Sequence, residues 1–186
     1  MKAETLLEVL HRAERLKNVT RHCDTSTGRR ESVAEHCWRA ALMAWFLKDE
    51  FPQADLDRVV HMCLLHDMGE AFTGDIPSFY KTGADEAREE ELLAGWVDTL
   101  PEPCRSELRG LYREMAAQET LEAKIFKAID GMEAVLQHNE SDLSTWLPLE
   151  YELNQTYAAD KAAFSPYLTE VRRLLREDTL QKIGEG

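Results

Sequence analysis

The 186-residue sequence predicts an all-α protein, a compact single-domain helical bundle. Three observations carry that reading. Apolar residues recur at spacings of three and four through most of the chain, the period of one helix face. No run alternates with strand period for long. Cap signals stand where helices should begin: Ser32 with Glu35, Thr120 before Glu122, and Ser165 before Pro166. With 44% hydrophobic residues, no repeat and no obvious linker, the chain is long enough for one real core.

Leu6, Val9, Leu10, Ala13 and Leu16 share one face, so residues 2–17 should form an amphipathic helix. Residues 18–31, NVTRHCDTSTGRRE, show no period and carry Thr, Ser, Asn and Gly, which predicts a loop. Ser32 and Glu35 form a capping box that opens a helix to about Lys48. Asp55 or Asp57 caps the next, expected to run through Val59, Cys63 and Met68 to about Phe72. TGDIPSF ends it, because Pro77 disfavours a helical residue before it. A charged helix, DEAREEELLAGWVDTL, stops at Pro101 and Pro103, and another carries Leu108, Leu111, Tyr112 and Met115. Thr120 begins a long helix to about His138 with Ile125, Ile129, Met132 and Leu136 inward. Ser165–Pro166 opens the last, on which Leu168, Val171, Leu174 and Leu175 repeat. The expectation is seven or so helices, with a core over about residues 5–140 and helices within 150–180 packing on it as part of one domain, residues 1–186. Trp38, Trp45, Trp96 and Trp146 fall in helical patterns and should pack rather than stack on a ligand.

The formal charge of −13 repels polyanions, which argues against duplex DNA or an anionic membrane as partner. A small phosphorylated ligand stays open, because a local cation can outweigh the global field. The four cysteines form no CxxC pair and no disulfide framework. The opening MKAETLLEVLHRAERL is charged throughout and does not read as a signal peptide, and no apolar run approaches a membrane span. The expectation is a reduced, cytoplasmic protein.

One stretch resists a purely structural reading. LLHDMGEAFTGD, residues 64–75, places a histidine, an aspartate and a glutamate on a segment otherwise built for burial. A buried charge needs an ion pair, hydrogen bonds or a metal to compensate it. Val59, Cys63, His66, Asp67 and Glu70 lie on one helical stripe that begins apolar and ends polar. His36 sits one turn from Ala40, and Asp130 lies amid the apolar side of a third helix, four residues from Phe126 and from Ala134. Two imidazoles and two carboxylates from three helices suit an intermediate divalent ion such as Mn, Fe, Co, Ni or Zn. Taken singly, each has a plainer reading: Asp130 could pair with Lys127, Glu70 could be a solvated helix end, Asp75 after Gly74 a turn residue, and Arg21 a surface charge. His11, His61 and His138 read as surface or flanking residues.

The joint pattern is far more specific. ESVAEHCWRAALMA, LLHDMGEAFTGDIPSF and KIFKAIDGMEAVLQ together resemble the HD-domain metal-dependent phosphohydrolases, and within them the compact 5′-deoxynucleotidase branch. The resemblance spans about residues 5–140 and is strongest in the HDxxExxxGDxP block. It implies a bundle of the HD-domain type with one divalent ion, of the set Mn, Co, Fe, Ni, Zn or Mg, on His36, His66, Asp67 and Asp130. It further implies Glu70 and Asp75 as catalytic acids or bases and Arg21 as the phosphate-orienting arginine, fifteen residues before His36. His22, His36, Asp67, Asp130 and the turn Asp75, Ile76, Pro77 and Ser78 would touch the substrate. His22 stands where some members have a tryptophan that helps to sense the missing 2′-hydroxyl, so weaker exclusion of ribose is expected.

The implied reaction is hydrolysis of a (deoxy)nucleoside 5′-monophosphate, with a small-molecule nucleotide as partner, neither nucleic acid polymer nor membrane, and a homodimer as a possible assembly. Uncatalysed monoester hydrolysis is slow enough that a barrier reduction on the order of 20 kcal/mol is needed. Two alternatives share the metal core. Another phosphoester (a phosphodiester, a triphosphate or an alarmone) would call for more basic residues than Arg29, Arg30 and Lys81 near the site. A non-catalytic metal-binding module would have no use for Glu70 and Asp75.

Overall fold

A computed structural model describes residues 1–185. Among them are seven α-helices of ten residues or more and three shorter ones, with a single two-stranded sheet. The all-α expectation holds. In chain order the elements are α1 (Ala3–Glu14), β1 (Thr20–Asp24), β2 (Arg30–Ser32), α2 (Val33–Phe46), α3 (Leu56–Leu65), α4 (Glu70–Thr73), α5 (Gly83–Asp98), α6 (Cys104–Ala117), α7 (Leu121–Glu140), α8 (Glu150–Thr156), α9 (Ala159–Ala162) and α10 (Pro166–Glu185).

Three helices build the centre. Helix α2 starts at the expected capping box, in which Ser32 Oγ accepts from the Glu35 amide while the Glu35 carboxylate accepts from the Ser32 amide. Its inward face is Val33, His36, Cys37, Ala40, Ala41 and Ala44. The alanines let α3 and α7 approach closely. Asp55 caps α3, with its carboxylate accepting from the Arg58 amide at 3.1 Å, and Thr120 caps α7. Val59, Met62 and Cys63 of α3 and Ile125, Ile129 and Met132 of α7 are fully buried against that seam. Each such side chain contributes about 1.5–3 kcal/mol of burial free energy, so the seam is the firmest support available for a polar site. Leu168 and Leu175 of α10 extend the same core.

At the site, two expectations fail. The predicted 18–31 loop is a hairpin, β1 with β2, turned at Gly28 (φ +79°). Thr20 pairs with Ser32 and Asp24 with Arg30, so β1 carries two more residues than β2 across the same ladder. That bulge re-aims successive side chains, and Arg21, His22 and Cys23 all face one cavity instead of alternating. Alternation, the signal that reveals a strand, is therefore missing from the sequence. Gln137 Nε2 of α7 donates to the Asp24 carbonyl at 2.6 Å and hooks the hairpin onto the core.

The helix expected to run to Phe72 instead stops at Leu65. His66–Gly69 is a 3-10 turn, with Asp67 at φ −93°, ψ 16°, before α4 resumes. Gly74 ends α4 at φ +81°, ψ 165°, a conformation open essentially only to glycine. It turns the chain into Asp75–Ser78. Trp38 and Trp45 also depart from the packing expectation, being 61% and 58% exposed.

Candidate metal centre

The tightened turn at His66–Gly69 lets two neighbouring side chains, His66 and Asp67, point to one place. His36 from α2 and Asp130 from α7 arrive from the other side of the seam. His36 Nε2 lies 3.2 Å from His66 Nε2, 3.3 Å from Asp130 Oδ1 and 3.8 Å from Asp67 Oδ2. His66 Nε2 lies 3.1 Å from Asp67 Oδ2 and 3.6 Å from Asp130 Oδ1. The structure thus brings the four predicted ligands together. Lys127 also makes its anticipated pair, with Nζ 2.8 Å from Asp130 Oδ2, which leaves Oδ1 facing the histidines.

The hydrogen bonds on the far side of each imidazole decide what the near side can do. His66 Nδ1 lies 2.9 Å from the Cys63 carbonyl, which can only accept, so Nδ1 carries the hydrogen. His36 Nδ1 likewise donates to the buried carboxylate of Glu133. Both neutral rings therefore turn an unprotonated Nε2 inward, and two lone pairs face each other at 3.2 Å. A proton or a cation must lie between them. Burial opposes a charge on His66, yet Asp67 and Asp130 hold its affinity for a proton well above the ordinary histidine value. A divalent ion can replace that proton. Bond lengths near 2.0–2.2 Å in a tetrahedral site imply ligand–ligand edges of about 3.4 Å, and the observed spacings bracket that value. The residues fit a metal.

Behind His36 stands a layer of charges that sequence reasoning missed. Glu133 is fully buried and receives Arg39 Nε at 2.7 Å, with Arg21 3.7 Å away. Burial would raise the Glu133 pKa, but His36, Arg21 and Arg39 hold it below the usual carboxylate range. Glu31, also buried, lies 3.5 Å from Arg21 Nε and accepts from the Cys23 thiol at 3.3 Å. A carboxylate on the outer nitrogen fixes the tautomer and orientation of a ligating histidine. Glu133 follows Asp130 by three residues, one turn along α7, and that spacing was the available signal.

The cluster opens into a cavity of about 300 Å³ that also collects Arg21, His22, Glu70, Asp75, Ile76, Pro77 and Ser78. Every other predicted site residue therefore lines one space with the cluster. Glu70 is 7% exposed and its Oε2 has no partner. Burial first, then the charges of Asp67 and Asp75, push its pKa up to about 10. A cation on Asp67 would draw it back. His22 packs edge-on to Phe79, with Nε2 3.3 Å from Glu150 Oε1 but out of hydrogen-bond alignment. His138, expected to flank the structure, instead bonds Glu150 at 3.0 Å and lines the same cavity. A larger groove, about 730 Å³ between α1 and α5, contains none of the predicted residues.

The sequence matches the HD domain family over residues 13–172. It is 37% identical over 142 residues to the human protein named 5′-deoxynucleotidase HDDC2, covering 74% of this chain and 69% of that one. Among solved structures, a predicted metal-dependent phosphohydrolase from Magnetospirillum magnetotacticum superposes with a TM-score of 0.79 at 26% identity, covering 95% of this chain and 92% of that one. The HD phosphohydrolase DatZ of cyanophage S-2L, solved with dA and one catalytic Zn2+ ion, gives a TM-score of 0.60 at 20% identity over 95% and 96% of the two chains. At that identity the likeness speaks for the fold alone.

Proposed function

The chain belongs to the HD domain family, and from that membership we propose that it is a metal-dependent phosphohydrolase releasing phosphate from nucleoside 5′-monophosphates. The observation that carries this reading is the pair of inward Nε2 atoms, 3.2 Å apart and flanked by Asp67 and Asp130, at the floor of a cavity that also contains Glu70 and Arg21. The human relative's name, 5′-deoxynucleotidase, supports the substrate class.

His36, His66, Asp67 and Asp130 would hold one divalent ion, and an N₂O₂ set suits Mn, Fe, Co, Ni or Zn. Such an ion supplies Lewis-acid polarisation of a phosphoryl oxygen and lowers the pKa of water. Arg21, clamped from behind by Glu133 and Glu31, offers a planar fork to two non-bridging oxygens, a shape lysine lacks. Glu70, on the cavity wall beside Asp67 and Asp75, would pass a proton to the leaving alkoxide or exchange one with water. Asp75, whose pKa burial also raises, sits beside it in the Gly74 turn.

Phosphate release tests the substrate class. The chelated protein, resupplied with Mn, Co, Mg or Zn, is expected to hydrolyse deoxynucleoside 5′-monophosphates. Activity confined to phosphodiesters or nucleoside triphosphates would contradict it, and no activity on any phosphoester would leave a metal-binding module. Sugar choice follows from His22. A larger indole at that position would crowd a 2′-hydroxyl, so His22→Trp should raise the ratio of dAMP to AMP turnover. An unchanged ratio places sugar discrimination elsewhere.

The remaining readings concern setting and assembly. We read the whole chain as one domain, because Arg172 of α10 donates to the carbonyls of Asn154 and Tyr157 and so fastens the C-terminal helices to each other over α7. No helix among the described residues is long and apolar enough to cross a membrane. Four unpaired cysteines accord with a reducing cytoplasm. Trp38, Leu42, Trp45 and Phe46 form one exposed stripe on α2. Its apolar area, on the order of 400 Å², is about half of what one partner gives to a standard interface, and it carries no charge to repel a second copy. A homodimer through α2 should sediment as such, with Trp45→Glu converting it to monomer. A monomeric parent at micromolar concentration would rule the dimer out.

A further inference from the structure

One wall of the cavity is built by helix α8 and the residues that hold it. Leu153, Asn154 and Tyr157 line it together with His138 and Glu150. Asn154 is 3% exposed, and its side-chain Nδ2 has no hydrogen-bond partner. Arg172 bonds its backbone carbonyl at 2.7 Å, so the bond that fastens α8 to α10 does not use the carboxamide. A buried unpaired amide costs stability, and the cost is recovered when a bound group pairs with it.

The seat of α8 is specified unusually tightly. A Cβ on Gly131, the residue after Asp130, would lie 2.6 Å from the Ala158 Cβ. Ala158 itself is held at φ +61° in the turn that ends α8. Glu150 at the other end of the helix accepts from the Leu147 amide at 2.6 Å and from His138 at 3.0 Å. The helix is thus pressed onto α7 at both ends, beside the carboxylate that faces the metal cluster. Tyr157 and Phe79 add aromatic rings to the same cavity.

We propose that Asn154 is a base-reading residue: its buried carboxamide pairs with the edge of the nucleobase, and α8 is the specificity element of the pocket. The inference rests on the nucleotide reading above. A carboxamide offers one donor and one acceptor side by side, which matches the paired acceptor and donor on a base edge. Phosphate and sugar would occupy the arginine and metal end, leaving the base for α8.

Binding, rather than turnover, gives the test. In a Glu70→Gln background, dissociation constants are measured for dAMP, dGMP, dCMP, dTMP and for 2-deoxyribose 5-phosphate, which has no base. Adding Asn154→Leu, which has the same branching but no polar atoms, should weaken the best-bound nucleotide about tenfold and draw the four together. The base-free ligand should change less than twofold. Adding Asn154→Asp, which keeps the shape but lacks the donor, should alter the order of preference among the four. Equal affinities across the four in the parent background, an unchanged order in Asn154→Asp, or an equal loss for the base-free ligand would each overturn the proposal. Failure of the hydrolase reading shows separately, as no phosphate released from any nucleotide by the protein with Glu70 intact.

Discussion

Asp67→Ala is expected to keep the fold and lose the metal, and phosphate release should fall to background with it. Asp67 sits in the 3-10 turn with its side chain 21% exposed, outside the apolar seam of α2, α3 and α7, so truncation opens no core cavity. What it removes is one of two carboxylates facing a pair of imidazole lone pairs. Changing a group that merely supports a ligand costs about 10–100-fold in metal affinity, and losing the ligand itself should exceed that. Elemental analysis of the purified variant checks the assignment. Full metal occupancy in Asp67→Ala would contradict it, whatever the activity.

Glu70→Gln should separate chemistry from binding. The residue follows the His66–Asp67 turn at the start of α4, lines the cavity, and has no hydrogen-bond partner at Oε2. Glutamine keeps the volume and removes the exchangeable acid proton. Turnover should fall by about 10² or more, the usual scale for losing a general acid–base group, with metal content unchanged and nucleotide affinity within a few-fold. Parent-level turnover would refute the proton-transfer role. Stability offers a second reading in the metal-free protein. Glu70 has its folded pKa raised to about 10 from an ordinary 4.5, so between those values the native state binds the extra proton. Stability must then decline as pH rises through that window. Glutamine imitates the neutral carboxyl and lacks that decline, so the variant should melt above the parent at pH 8 and alongside it at pH 4.

The candidate ligand set could be seen in the sequence because each of its members interrupts an apolar helix face, and faces of that kind must meet. His36 lies among Val33, Cys37 and Ala40, and Asp130 between Phe126 and Ala134. Helical period and burial alone bring such residues to one seam. The features that escaped notice have equally physical reasons. A two-residue bulge in β1 erased the alternation that would have announced the hairpin bearing Arg21 and His22. The break at Asp67 is a local tightening from α to 3-10 geometry that leaves the apolar period almost unchanged across four residues. Glu133 looks like an ordinary solvated helix residue until α2 places Arg39 and His36 against it. Trp38 and Trp45 repeat with the same period whether their face is covered or open, so periodicity could not tell that it is open. His138, Glu150 and Asn154 depend on where the last third of the chain folds back onto α7, a long-range placement with no local signature.

Metal titration of the chelated protein bears most directly on the central claim, that one divalent ion held between α2, the His66–Asp67 turn and α7 is what makes this chain a phosphohydrolase. Phosphate release from a deoxynucleoside 5′-monophosphate is followed as Mn or Co is added in steps. The account predicts negligible activity without metal and a linear rise that levels off at one ion per chain. Undiminished phosphate release from protein shown by elemental analysis to be metal-free would contradict it.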